Sequence, residues 1–190
     1  MKLVMLGGTF NPPHNGHIAM ADLVRRNCSY DQVVLIPSFQ PPHKTVFSDV
    51  NIHQRLAMTE LAAKEIENAF VSDCEMIREG VSYSLDTVRY LKEKYSLDGK
   101  PGLIIGDDLI PGFSSWHSVD MLVEEVDLIV LHRGDSEKLD LPYPHSYLSN
   151  PIISLSSSEI RSKVEKGLSI DADVPGSIVS YIRSEGLYGR

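Results

Sequence analysis

Apolar residues in this chain fall into short runs separated by longer stretches with helical spacing. Lys2–Leu6, Gln32–Ile36, Leu103–Ile105 and Asp127–Leu131 are brief and almost continuously apolar. Runs of that length predict strands buried on both faces. Phe70–Met76 alternates in part and predicts another strand, and Ile152-Ile153 a short last one. Between the runs, apolar positions recur three and four apart, which predicts helices. These are Ile18–Arg26, His53 to about Asn68, the segment from Ser84 through Leu85, Val88, Leu91 and Tyr95, and Val119–Glu124. Ser156 and Glu159 have the spacing of a capping box, predicting a helix through Lys166 that Gly167 stops. Pro175–Glu185 predicts the final helix, with Gly186 past its end. Pro37–Asn51 and Arg133–Asn150 read as loops.

Strands alternating with helices at these lengths imply right-handed crossovers and an α/β fold, a Rossmann-like doubly wound parallel sheet flanked by helices. The expected organisation is one domain over residues 1–190. In such sheets ligands bind beyond the carboxyl ends of the strands. That rule gathers the turn at 7–17, the loop after the second strand, Asp107-Asp108, and the serine-rich helix start at 156.

Composition narrows the partners. The net charge of −8 argues against nucleic acid as a main partner. It leaves nucleotides open, because a few local cations and helix N-termini suffice for them. The two cysteines, Cys28 and Cys74, have no metal or redox spacing. The start carries no signal-peptide pattern, and no apolar run approaches the length of a membrane span. The expectation is a cytoplasmic protein, a monomer or small homo-oligomer, without membrane or nucleic-acid partners.

The chemistry starts at Gly7-Gly8-Thr9-Phe10-Asn11-Pro12-Pro13-His14-Asn15-Gly16-His17, between the first strand and the first helix. The glycines let backbone approach a ligand, the prolines stiffen the loop, and the helix start attracts phosphate. His14 and His17 can each donate a hydrogen bond to a phosphate oxygen. Walker A would need Gly-Lys-Ser/Thr, and the dinucleotide fingerprint G-x-G-x-x-G; neither occurs here. What remains is an H-x-G-H signature in a G-G-T-F-x-P-P context.

Other candidates each have two readings. Lys44 reaches an anionic substrate or is a solvated loop lysine. Ser84 marks an anion-binding helix start or simply caps it. Asp107 and Asp108 suit ribose hydroxyls or an N-cap. Trp116, the single tryptophan, stacks on a ligand ring or fills core. Ser156-Ser157-Ser158 with Arg161 is a phosphate-binding assembly or a capping box with a surface arginine.

Together the segments GGTFNPPHNGH, IPSFQPPHK, GVSYSLDT, IIGDDL, Trp116 with its flanks, SLSSSEIR and YIRSEGLY resemble the bacterial nicotinate mononucleotide adenylyltransferases, a family of H-x-G-H transferases. The resemblance runs from Lys2 to Tyr188. It implies that His14, His17 and Arg161 act on the ATP phosphates. It further implies ATP contacts at Gly7, Gly8, Thr9, Phe10, Gly16, Gly106, Asp108, Ser156, Ser157 and Ser158. Lys44 matches the lysine for the mononucleotide phosphate. Ser84 stands where the family usually has Thr near the nicotinate carboxylate, and Trp116, with His117 beside it, would stack on the pyridine. The chain departs from the pattern at Asn11, at Asp107 (usually Gly or Ala), at His117, and at Arg133-Gly134, where an intervening proline is missing. The implied reaction transfers the adenylyl group of ATP to nicotinate mononucleotide, with Mg²⁺ accompanying ATP and no protein carboxylate cage for it. Rival readings are an H-x-G-H transferase for phosphopantetheine or a sugar-alcohol phosphate, and a non-catalytic sensor of ATP or NAD.

Overall fold

A computed structural model describes residues 1–42, 50–133, 139–150 and 155–189. Among them are six strands in one sheet. They are β1 Leu3–Gly8, β2 Gln32–Pro37, β3 Ala69–Val71, β4 Gly102–Gly106, β5 Asp127–Arg133 and β6 Ser146–Asn150. The order is β3-β2-β1-β4-β5-β6, and every pairing is parallel. The helices are α1 Asn15–Asn27, α2 Ile52–Ala63, α3 Cys74–Arg78, α4 Ser84–Lys94, α5 Ile110–Phe113, α6 Val119–Glu125, α7 Ser157–Glu165 and α8 Gly176–Ser184. A 3₁₀ turn at Asp107–Leu109 leads into α5.

The continuous apolar runs resolve into two cores by the two-residue period of a strand. Val4, Leu6, Val33, Leu35, Ile104, Ile129 and Leu131 face one side, where they meet Ala21 and Val24 of α1, Met58 of α2 and Ile178 and Ile182 of α8. Leu3, Met5, Val34, Ile36, Leu103, Ile105, Leu128 and Val130 face the other, against Val88 and Leu91 of α4 and Leu122 of α6. Gly102 lets β4 pack closely: a Cβ there would lie 2.6 Å from the Tyr30 hydroxyl.

The doubly wound class holds, and several boundaries move. The helix expected over 53–68 stops at Ala63. Glu65 and Ile66 then bond back to Ala62 and Ala63 in tight turns, and Asn68 takes φ +56° to enter β3. The strand expected over 70–76 ends at Val71, because Cys74–Arg78 is helical; the partial alternation ran across a strand-helix junction. Ser146–Asn150, expected as loop, is a strand on β5. At the sheet edge it has no need of a continuous apolar run, so its polar sequence hid it. The strand expected at Ile152-Ile153 lies outside the described residues. Among the described residues no helix is long and apolar enough to cross a membrane.

Candidate active site

The sheet order reverses between β1 and β4, and the carboxyl ends of these two strands open side by side. Ligands of doubly wound proteins bind at such a point. From β1 the chain passes Phe10, buried at φ +47°, and a cis Asn11–Pro12 bond, and enters α1. His14 is the N-cap of α1. Its N–H donates to Nδ1 of His17 at 3.2 Å, so neutral His17 carries its proton on Nε2. The two imidazoles lie 3.7 Å apart between centroids, and Phe10 meets His17 edge-on at 5.1 Å.

Residues far along the chain hold this turn. Arg161 Nη1 donates to the Asn11 carbonyl at 2.8 Å, and Ser157 Oγ to the Pro12 carbonyl at 2.8 Å. The Tyr188 hydroxyl donates to Asn11 Oδ1 at 2.6 Å, and burial pushes its pKa up. Asn15 donates from its backbone to Asp173 O at 2.9 Å and from its side chain to Ala172 O at 3.0 Å. The serine run is therefore partly spent on structure. Ser156 Oγ caps Glu159 N, Ser157 docks on Pro12, and Ser158 Oγ accepts from Arg161 Nη2 at 3.2 Å. What α7 offers an anion is its first-turn N–H groups and the rest of the Arg161 fork.

Beside the turn, a cavity of about 240 Å³ is lined by Gly7, Gly8, Thr9, Ser38, Tyr83, Ser84, Trp116 and His117, among others. Trp116 is half-buried and rests on Phe113, with centroids 4.9 Å apart. Exposed His117 stacks on Tyr83 at 4.2 Å. Ser84 is not a capping residue: Tyr83 is the N-cap of α4, without a side-chain bond. The first-turn N–H groups of α4 thus face their surroundings without a side-chain cap. Below them Glu75, 6% exposed, accepts from the Thr87 hydroxyl at 2.6 Å. Burial raises its pKa, and the hydroxyls of Thr87 and Ser82 oppose the rise in part. Ser82 Oγ also accepts from Phe39 N at 3.0 Å, which ties the loop after β2 to the start of α4.

At the end of β4, past Gly106, the two aspartates differ. Asp107 is buried, and its Oδ2 lies 2.9 Å from Nδ1 of buried His132, with the Tyr147 hydroxyl 3.1 Å from the same nitrogen. Asp108 is exposed. Lys44 lies outside the described residues. No group of three His, Cys, Asp or Glu side chains suited to a metal occurs among the described residues.

Sequence reasoning missed Arg55, Glu75, His132 and Tyr188. Arg55 sits within a helix and Tyr188 beyond one, with nothing nearby to mark a burial. Glu75 was hidden by the strand expected at 70–76. Only Asp107, as a departure from the family pattern, hinted at a compensating partner.

A strand-turn-helix carrying H-x-G-H at the switch point of a parallel sheet defines a nucleotidyltransferase. The cytidylyltransferase-like family model matches residues 5–163. A curated relative from Borrelia turicatae, "Probable nicotinate-nucleotide adenylyltransferase", is 39% identical over 99% of this chain and 98% of its own length. One of the same name from Streptococcus pyogenes is 38% identical, over 98% of this chain and 88% of its own. The chain belongs to the nicotinate-nucleotide adenylyltransferase family. A solved structure of the Plasmodium falciparum nicotinic acid mononucleotide adenylyltransferase, complexed with NaAD, has the same fold. Its TM-score is 0.80 at 22% identity, covering 98% of this chain and 97% of that one.

Proposed function

We propose that this chain transfers the adenylyl group of ATP to nicotinate mononucleotide, giving deamido-NAD and pyrophosphate, in NAD biosynthesis. The observation that carries the reading is the adjacency of two subsites. The His14/His17 turn shares its Gly7-Gly8-Thr9 segment with the cavity that holds Tyr83, Ser84 and Trp116. A phosphate-anchored nucleotide and an aromatic mononucleotide can meet there.

A phosphate oxygen of the mononucleotide attacks the α-phosphorus of ATP. The bond from that phosphorus to the bridging β-oxygen breaks, and pyrophosphate leaves with its electron pair. The nucleophile is already an anion, so neither a general base nor a covalent intermediate is required. The protein's work is alignment and charge neutralisation. His17 offers Nε2–H to the α-phosphate. His14, Arg161 and the start of α7 at Ser156, Ser157 and Ser158 hold the β- and γ-phosphates. Gly7, Gly8, Thr9, Phe10 and Gly16 line the nucleotide's path, with Gly106 at the end of the neighbouring strand. Asp108 takes the ribose, since Asp107 is engaged by His132. Trp116 stacks on the pyridine, with His117 and Ser84 around its carboxylate and Lys44 on its phosphate. Mg²⁺ enters with ATP as part of the substrate, carried by phosphate oxygens and water.

Pyrophosphate release with Mg-ATP and, in turn, nicotinate mononucleotide, nicotinamide mononucleotide and 4′-phosphopantetheine tests the reading. Turnover with the first is expected. Turnover only with the third moves the protein to another branch of the H-x-G-H transferases. ATP binding with no release from any acceptor makes it a sensor.

A further inference from the structure

Arg55 projects from α2 and is 2% exposed. Its Nη1 donates to the carbonyls of Thr9 at 2.9 Å and Ser38 at 2.7 Å, and its Nη2 to that of Phe39 at 3.3 Å. Thr9 belongs to the phosphate turn. Ser38 and Phe39 open the segment that leads to the other wall of the cavity, and Thr9 and Ser38 both line it. That segment is bonded onward: Ser38 N donates to Gly8 O at 2.9 Å, and Ser82 N to Gln40 O at 2.8 Å. One rigid guanidinium thus stands where the ATP side and the acceptor side meet.

A brace needed only for stability has cheaper forms. Burying a charge is costly, and apolar packing often does as well or better. Here no carboxylate lies within ion-pair distance of Arg55 among the described residues, and burial lowers its pKa. Its partners are three backbone carbonyls, which accept without cancelling the charge. The full positive charge stays beneath a site that must bring two anionic phosphates together, in surroundings that screen it weakly.

We propose that Arg55 is a positioning residue: it fixes the separation of the phosphate turn and the acceptor wall, and lends both its charge. The proposal rests on the two-substrate reading above. Misplacement by about 1 Å can slow such a reaction ~100-fold while leaving each ligand bound. R55M removes fork and charge; R55K keeps the charge and loses the planar fork.

The test compares wild type, R55K and R55M as full chains. Calorimetry measures each nucleotide singly, pyrophosphate release measures kcat, and thermal melting measures the folded fraction. The expected result is single-ligand affinity for nicotinate mononucleotide within about threefold of wild type in R55K, which keeps the charge, and weaker in R55M, with kcat down ~100-fold in R55M and less, but clearly, in R55K. A kcat that falls only as the folded fraction falls, or that both variants retain, overturns the proposal. A second arm is independent of the acceptor. A non-hydrolysable ATP analogue should slow amide exchange in wild type at both 8–17 and 38–42, but in the variants at 8–17 alone. Equal slowing of 38–42 in the variants overturns the proposal even if the pyridine reading itself fails. If R55M does not fold, R55K decides in both arms.

Discussion

The proposed mechanism gives His17 a second task beside its structural one, and substitutions can separate the two. Its Nδ1 accepts the backbone N–H of His14 and completes the start of α1. In the proposed mechanism its Nε2–H donates to the α-phosphate. His17→Ala removes both. Loss of the cap costs about 1 kcal/mol, which for a chain of this size lowers Tm by roughly 2–4 °C. Loss of a donor aimed at developing charge costs about 2.7–4 kcal/mol, or ~10²–10³ in kcat. His17→Asn removes only the second, because the Asn Oδ1 falls near the position of Nδ1 and still accepts from His14. The expected pattern is two variants equally slow, with kcat down ~10² or more, of which only the alanine form melts early. Steady-state pyrophosphate release with saturating Mg-ATP and a melting curve for each variant suffice. An asparagine variant with kcat within threefold of wild type would remove Nε2–H from the transition state. An early melt shared by both would refute the capping geometry.

Three further outcomes follow from the cavity beside the turn. Trp116→Ala should weaken the pyridine mononucleotide by about 0.5–1.5 kcal/mol beyond lost area and leave ATP nearly unaffected; calorimetry that finds both weakened alike, with a large fall in Tm, makes Trp116 core. Nicotinate mononucleotide should be preferred over the nicotinamide form by roughly 10- to 100-fold in kcat/KM, since backbone N–H donors at the start of α4 suit a carboxylate and leave the amide NH₂ facing a donor; equal values refute this pocket chemistry. Glu75, with its folded pKa raised above the ordinary 4.5, contributes stability that is full below that value and lost as pH rises through the folded pKa. In urea unfolding, wild type should therefore lose stability relative to Glu75→Gln from pH 4.5 upward; a difference that does not change with pH refutes the assignment.

The doubly wound sheet was legible because its four central strands are apolar on both faces, and the H-x-G-H turn because its glycines, prolines and histidines are local in sequence. What escaped depends on position rather than on type. β6 is polar because edge strands tolerate polarity. The stop of α2 at Ala63 comes from the entry into β3, not from a breaker. Ser84 has the composition of a cap, yet the backbone begins the helix one residue earlier, so the start of α4 presents N–H groups without a hydroxyl cap. Asp107 and Asp108 are adjacent and chemically identical in sequence. Only the arrival of His132 from β5, twenty-five positions on, separates the buried one from the exposed one. Arg55 is legible only in three dimensions, because its partners are carbonyls, which every residue has.

The long-range bonds that hold the Asn11–Asn15 stretch are made with Ser157, Arg161, Ala172, Asp173 and Tyr188. Translation delivers these elements in the opposite order to their need. A chain still being made exposes the histidine turn long before anything can anchor it, and the Asn11–Tyr188 bond closes across 177 positions. Closing contacts of such separation carries a larger loop-closure entropy cost than closing local ones. A polypeptide ending before Ser157 lacks the hydrogen bonds that Ser157, Arg161 and Tyr188 make to Asn11 and Pro12 of the histidine turn. For the same reason, a group attached at Tyr188 would lie beside Asn11 of the turn, whereas one attached at Met1 would lie at the opposite end of β1.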